Sequence, residues 1–297
     1  AVCEGCGDCG LASNCLSVTP DETEYGRKRK IEQSSCNKDM SCVKGFCPSF
    51  VTVEGGQLRK PKAGLFDADV SDLPMPTLPA TDAPYGIVLA GVGGTGVTTL
   101  GAILGTAAHL EEKGASVLDM TGLAQKFGAV ITHVQIANNP EQVHAARIAA
   151  GGAQLIIGCD LVVAASNDCL VKVQNDAAYA IVNDHAAMTA EFTRNPDSVF
   201  PAQSMRSLVE ESVGLKRAHF INATGAAEQL LGSTIAANIL LAGYAWQLGL
   251  IPISSEAIAK AIELNGASVS ENLTAFNLGR RLAVNPSFSA GKAEQVT

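Results

Sequence analysis

The sequence predicts an α/β protein in two parts, a small cysteine-rich module followed by a Rossmann-like α/β body. Three observations lead there. Seven of the nine cysteines fall within the first 47 residues. From Tyr85 onward, short apolar runs alternate with helical stretches, as in a sheet covered by helices. Between these parts lies a tract crowded with proline and glycine. The expected boundaries are 1–50 for the cysteine module, 51–84 for a proline-rich linker and 85–297 for the α/β body.

The 297 residues are 47% hydrophobic and 17% charged, the composition of an ordinary globular chain. Aromatics are scarce while Gly and Ala are plentiful, so helices are expected to pack closely on the sheet. A net charge of −8 argues against nucleic acid or an anionic membrane as partner, since both need basic surface. There is no signal peptide and no apolar run long enough to span a bilayer, which makes the cytoplasm the expected location. Without a secretory signal, clustered cysteines favour metal ligation over a disulfide framework. The chain opens on Ala1, two residues before its first cysteine, and is expected to be part of a longer polypeptide.

Residues 1–50 are loop-rich and too short for a hydrophobic core of their own, so they need a staple. The first motif, "CEGCGDCGLASNC", spaces Cys3, Cys6 and Cys9 by two residues each and then reaches Cys15. The second, "CNKDMSCVKGFCP", runs Cys36-x2-Asp39-x2-Cys42-x4-Cys47-Pro48. Three thiolates at this spacing wrap one face of an iron–sulfur cube, and the fourth ligand comes from the distant Cys-Pro. Cys3, Cys6, Cys9 and Cys47 are thus expected to hold one [4Fe–4S] cluster. Cys36, Cys42 and Cys15 form a second site, with Asp39 in the central position. Asp39 is either an oxygen ligand to a fourth iron or a bystander beside a [3Fe–4S] or empty site. Zinc and an all-disulfide arrangement are the alternatives, and both fit the spacing less well. The cations of "GRKRK", Arg27 to Lys30, read as a solvated loop or as a dock for an acidic electron carrier.

In the body, "YGIVLAGVGGTGV" is an apolar strand, a glycine turn and the start of a helix ending near Lys113–Gly114. A second strand follows at Ser116 to Met120, completing a βαβ opening. Further strands are expected at Ala129–Ala137, Leu161–Ser166, Tyr179–Asp184 and Ala218–Ala223. Helices are expected at Ser233–Gly249 and Ser254–Gly266.

Gly91, Gly93, Gly94 and Gly96 form a turn between strand and helix, where backbone can approach a phosphate at a helix N-terminus. Asp119 ends the next strand, where an NAD-binding domain places its ribose acceptor. The alternative is a turn that only packs helix on strand. Thr121, Gln125 and Lys126 form a polar cluster at the expected carboxyl edge of the sheet. His133 reads as a packed or surface histidine.

The order of cysteine motifs, proline-rich linker, "GVGGTGV", "VLDMTGLAQKFGAVITHVQIA", "GCDLVVAAS" and "IELNGASVSENLTAFNLGRRLA" resembles the fused indolepyruvate ferredoxin oxidoreductases. These are thiamine-diphosphate-dependent 2-oxoacid:ferredoxin oxidoreductases. The resemblance runs nearly end to end. It implies a ferredoxin-like iron–sulfur domain followed by a gamma-type domain, the middle of a longer chain. It further implies oxidative decarboxylation of an arylpyruvate, with thiamine diphosphate and Mg bound by other domains of the same chain or complex. Coenzyme A accepts the acyl group as co-substrate, ferredoxin accepts the electrons, and the full enzyme is a homo-oligomer. The seven N-terminal cysteines become cluster ligands. The glycine turn with Thr121, Gln125 and Lys126 becomes the place to meet a phosphate-bearing ligand or the thiamine domains. The family loop has two glycines after its basic residue, whereas this chain has Phe127-Gly128. No thiamine-binding signature is present, so this segment alone should not turn over substrate. The alternative function is an NAD-linked iron–sulfur electron-transfer reductase module.

Overall fold

The computed structural model describes residues 3–32, 36, 38–44, 47, 49–50, 55, 69–122, 128–174, 176–189, 191–195 and 197–288. The chain divides into two compact units. One comprises Ala1–Lys60 with Ala186–Pro201, the other Pro61–His185 with Ala202–Thr297.

The first unit opens with a short helix, α1 (Asp8–Ser13), and an antiparallel hairpin, β1 (Val18–Thr23) and β2 (Gly26–Ile31). The cationic run expected as a solvated loop is strand β2. Gly26, at φ 90°, turns the chain, and the Thr23 hydroxyl donates to its carbonyl at 2.8 Å. Across the ladder Asp21 faces Lys28 and Glu22 faces Arg27, so opposite charges pair on neighbouring strands. Arg27 Nε reaches Glu22 at 2.5 Å. A single 3-10 turn, Ser41–Val43, lies in the second cysteine segment.

The second unit is built on a mixed sheet. Strand β3 (Tyr85–Val92) leads to helix α2 (Val97–Leu110), and β4 (Gly114–Thr121) and β5 (Ala129–Ala137) form a hairpin. Then come β6 (Leu155–Gly158), the short helices α3 (Leu161–Ala164) and α4 (Asn167–Leu170), and β7 (Tyr179–Asn183). After β7 the chain contributes α5 (Glu191–Arg194) to the first unit, and continues with α6 (Ala202–Val213) and β8 (Ala218–Ile221). Four helices close the fold: α7 (Ala223–Leu231), α8 (Ala237–Gln247), α9 (Ser255–Asn265) and α10 (Val269–Val284). The strand order is β4-β5-β3-β6-β7-β8, with β3, β6, β7 and β8 parallel and β5 antiparallel to both its neighbours.

Ile87, Val88, Leu89 and Ala90 in β3 are all fully buried, as expected of a central strand covered on both faces. Helix α8 is buried along its whole length. It packs on α10 through Gly243 and Gly279, where a side chain would overlap the Phe276 and Leu240 carbonyl oxygens respectively. Trp246 is buried in this layer, with Nε1 donating to the Ile253 carbonyl at 2.8 Å and the Arg280 guanidinium 4.6 Å over its ring.

Two expectations change. The run Leu161–Ser166 is not a strand; the strand precedes it, at Leu155–Gly158. Asp160 caps the run by accepting from the Val163 N–H at 2.7 Å, which starts a helix where the apolar pattern was ambiguous. The βαβ opening is also interrupted, because β5 lies between β3 and β4. The hairpin satisfies the β4 ladder locally, so α2 crosses two strands rather than one. Gly101 and Gly105 let α2 lie close over this pair, against Val117 and Thr132. Among the described residues, no helix is long and apolar enough to cross a membrane.

Candidate functional site

The two cysteine segments share a backbone design. Gly5 and Lys38, each two residues after its first cysteine, have φ of 78° and 57°. Their N–H groups donate to Cys3 Sγ and Cys36 Sγ, each at 3.4 Å. Four residues after the first cysteine, Gly7 and Met40 have φ of 85° and 58°, and each precedes a helical turn. Cys9 and Cys42 are the second residues of those turns. In this register Asp39 stands where Cys6 stands, and both are exposed.

Burial raises the Cys9 thiol, and the neighbouring Cys47 and Cys3 raise it further while Arg29 opposes them. Burial likewise raises Cys42, whose charge neighbours are Cys15, Cys36 and Asp39. Cys47 is thus a charge neighbour of Cys9, and Cys15 of Cys42. Among the described residues, however, no three Cys, His, Asp or Glu side chains converge into a finished metal site. The donor set is soft thiolate with one carboxylate, and N–H groups are already directed at two of the sulfurs. That chemistry suits an iron–sulfur cluster better than a hard cation. Cys159 and Cys169 are different: burial pushes both thiols up to about 12, and they act as core side chains.

In the body, the carboxyl ends of the parallel strands β3, β6, β7 and β8 share one edge. Gly93 N–H donates to the Gly128 carbonyl at 2.8 Å, tying the glycine turn to the residue before β5. Thr121 ends β4 here. Gln125 and Lys126 lie outside the described residues. Gly91 is buried, and a side chain there would meet Thr95 Oγ1 at 2.6 Å and Cys159 Cβ at 3.0 Å. At Gly94 a side chain would meet nothing within 4 Å, so this backbone is open to a ligand. Gly96, at φ 77°, caps α2, and its carbonyl accepts from Asn238 Nδ2 at 2.9 Å. Asp119 is on the outer strand β4, separated from the glycine turn by β5, and accepts from Thr132 Oγ1 at 2.5 Å. A ribose acceptor needs the adjacent strand, so this arrangement does not reproduce a dinucleotide site.

Two asparagines organise the edge without a sequence motif to announce them. Asn183, at the end of β7, donates to the Cys159 carbonyl (3.0 Å) and to Thr224 Oγ1 (2.8 Å), and accepts from the Ala223 N–H (3.1 Å). It joins the loops after β6, β7 and β8. Asn238 opens the buried helix α8 and holds the glycine turn. The available signal was a polar residue beside an otherwise apolar run. Asp160 is buried and its carboxyl is pushed up by that burial; Oδ1 caps α3. His133 is packed, accepting from the Ile148 N–H at 3.3 Å, as its position in an apolar strand suggested.

This helix-covered mixed sheet with a glycine-rich carboxyl edge has a defined class. Residues 86–282 match the family described as pyruvate ferredoxin/flavodoxin oxidoreductase. The chain belongs to that family and is part of an oxidoreductase. Among curated relatives, the indolepyruvate oxidoreductase subunit IorB of Thermococcus kodakarensis is 27% identical over 201 residues, covering 67% of this chain and 96% of its own. The subunit of the same name from Pyrococcus horikoshii shows the same identity and coverage. A solved 2-oxoglutarate:ferredoxin oxidoreductase from Magnetococcus marinus shares the fold. It has a TM-score of 0.51 and 16% identity, over 71% of this chain and 32% of that one.

Proposed function

We propose that this chain is the electron-relaying and active-site-covering segment of a thiamine-diphosphate-dependent oxidoreductase acting on indolepyruvate or a related 2-oxoacid. The observation carrying this reading is the union, on one chain, of a domain of this family with two cysteine loops of the same backbone design. When bound, iron–sulfur clusters supply one-electron steps between the thiamine-bound intermediate and ferredoxin. The chain's part is to hold them: Cys3, Cys6, Cys9 and Cys47 as one set, and Cys15, Cys36 and Cys42 with Asp39 as the other.

The carboxyl edge of the body is the surface that meets the thiamine-binding domains and the phosphates of coenzyme A. Open backbone at Gly94 and the N-terminus of α2 favour an anion there. The proposed cation is Lys126, two residues before Gly128 in the sequence. Support for the alternative, an NAD-linked iron–sulfur reductase, is weaker because β5 separates Asp119 from the glycine turn.

Anaerobically purified chain, mixed with the thiamine-binding domains, should reduce ferredoxin with indolepyruvate only when coenzyme A is present. The chain alone should show neither that activity nor saturable NADH binding. Tight NADH binding that reduces the chain by itself would overturn the reading.

A further inference from the structure

Basic side chains from separate stretches of the second unit come together on the sheet face away from α2. A side chain at Gly101 of α2 would meet Thr132, so Thr132 faces that helix and the next residue of β5, His133, points to the opposite face. Segment 143–153 lies over that opposite face. The Ile148 N–H donates to His133 Nδ1 at 3.3 Å, and Gln135 Nε2 donates to the Ala145 carbonyl. At Gly86 a side chain would meet the Gly152 carbonyl oxygen at 2.5 Å and Ile148 Cδ1 at 3.3 Å, so the segment packs directly on β3. Lys172 follows α4, and its carbonyl accepts from the Ala153 N–H at 2.8 Å, which ties it to the end of the same segment.

His133 is 1% exposed and Lys172 8%, while Arg147 reaches the surface. A lysine this enclosed is ordinarily paired. Among the described residues, neither Lys172 nor Arg147 makes an ion pair. The charges that act on the His133 ring, Lys172 and Arg147, are both positive. With Nδ1 accepting from Ile148, the neutral ring carries its proton on Nε2 and offers a donor there. The fold thus gathers an imidazole N–H, an ammonium and a guanidinium with no carboxylate among the charges acting on the ring. Like charges held together repel, and a bound anion would relieve that repulsion.

Charge and geometry select the anion. Two fixed positive charges match a phosphate dianion, whereas a carboxylate would neutralise only one of them. Phosphate also has oxygens enough to accept from three separate groups, and a guanidinium fork suits it. The place is not the glycine turn. His133 pairs with Val88, about 13 Å along β3 from its end at Val92, and Ala153 lies just before β6. These residues therefore sit toward the amino ends of the parallel strands. We propose that His133, Arg147 and Lys172 form a binding site for the phosphate group of a small ligand, separate from the carboxyl edge and independent of the cysteine module.

The test uses the full chain at neutral pH, with inorganic phosphate and phenyl phosphate as probes and chloride at matched ionic strength as the control. Calorimetry should show saturable binding of phosphate. Phosphate should raise the urea midpoint of the Trp246 fluorescence transition, as any ligand of the folded state does, and chloride should not. Arg147→Gln changes a surface residue, should fold like wild type, and should bind phosphate about tenfold more weakly or worse. Lys172→Met should lose the phosphate response. Without phosphate it should unfold at the same or a higher urea concentration than wild type, because it removes an enclosed, unpaired charge. The His133 ring-proton resonance, assigned by its loss in His133→Asn, should shift with the concentration dependence seen by calorimetry.

Binding of inorganic phosphate alone would identify the free anion as the ligand, and tighter binding of phenyl phosphate would identify the terminal group of a monoester. Either result bears the site out. The proposal is overturned if neither probe binds saturably, if chloride raises the midpoint as much, or if Arg147→Gln and Lys172→Met bind phosphate as wild type does. Lys172 would then be a packed stem with its head in water.

Discussion

Gly96→Ala tests whether the glycine turn is built as described. Gly96 sits at φ 77°, where an L side chain is strained, and the added methyl would overlap Nδ2 of Asn238 and lie 3.1 Å from its Cγ. The backbone strain costs about 1–2 kcal/mol. Displacing Asn238 breaks its 2.9 Å bond to the Gly96 carbonyl and leaves a buried amide poorly paired, about 1–3 kcal/mol more. The single variant should therefore lose about 2–5 kcal/mol. In an Asn238→Ala background the overlap is gone, so the same substitution should cost only about 1–2 kcal/mol. Trp246 is the only tryptophan and is buried in the second unit, so its fluorescence during urea unfolding follows this unit. Additive costs in the double variant, or an unchanged midpoint for Gly96→Ala, would refute the contact between turn and helix.

Three further outcomes follow from the same structure. Burial, with help from the Lys172 and Arg147 charges, lowers the His133 pKa from 6.5 to about 4. The neutral ring is thus favoured in the fold, and its stabilisation is present above pH 6.5 and lost as pH falls through about 4. The loss is on the order of 3 kcal/mol. His133→Asn keeps an acceptor for Ile148 and should flatten the Trp246-monitored profile in that window. Phe192 in α5 is buried beneath the Arg29 guanidinium, 4.9 Å from its ring, so Phe192→Ala should destabilise the first unit by about 3 kcal/mol. Limited proteolysis should then cut the β1–β2 hairpin faster with no change in the Trp246 transition. In metal-free native protein, iodoacetamide should alkylate the seven N-terminal cysteines and spare Cys159 and Cys169, whose thiols stand at about 12. Rapid labelling of either body cysteine, read by mass spectrometry, would contradict their packing.

Much of the fold was legible locally. The run "GIVLAGV" is apolar without alternation and ends in glycines, which specifies a buried strand running into a turn whatever its neighbours are. The helices over Ala237–Gln247 and Ser255–Asn265 were readable in the same way, the second through Ser254, whose hydroxyl accepts from the Ala257 N–H at 3.2 Å. "LVVAAS" was not readable, because a short apolar run serves a strand or a helix equally well. Asp160 decided it, by a cap only one turn away. The cysteine spacing suggested a grouping only through the exchange of last ligands between two motifs, which joins Cys47 to distant thiols.

What sequence determines here is whatever depends on near neighbours: element type and turn positions. The tertiary structure decided three things that depend on distant partners. It placed β5 between β3 and β4, which moves Asp119 away from the glycine turn and weakens the dinucleotide reading its spacing invited. It assigned Ala186–Pro201 to the first unit, where Phe192 and Thr193 are buried. It also made Asn183 and Asn238 the organisers of the sheet edge, through bonds spanning 24 to 142 residues. Strand order and buried polar contacts are selected by what each surface can pair with once the chain has collapsed, and periodicity along the chain does not carry that choice.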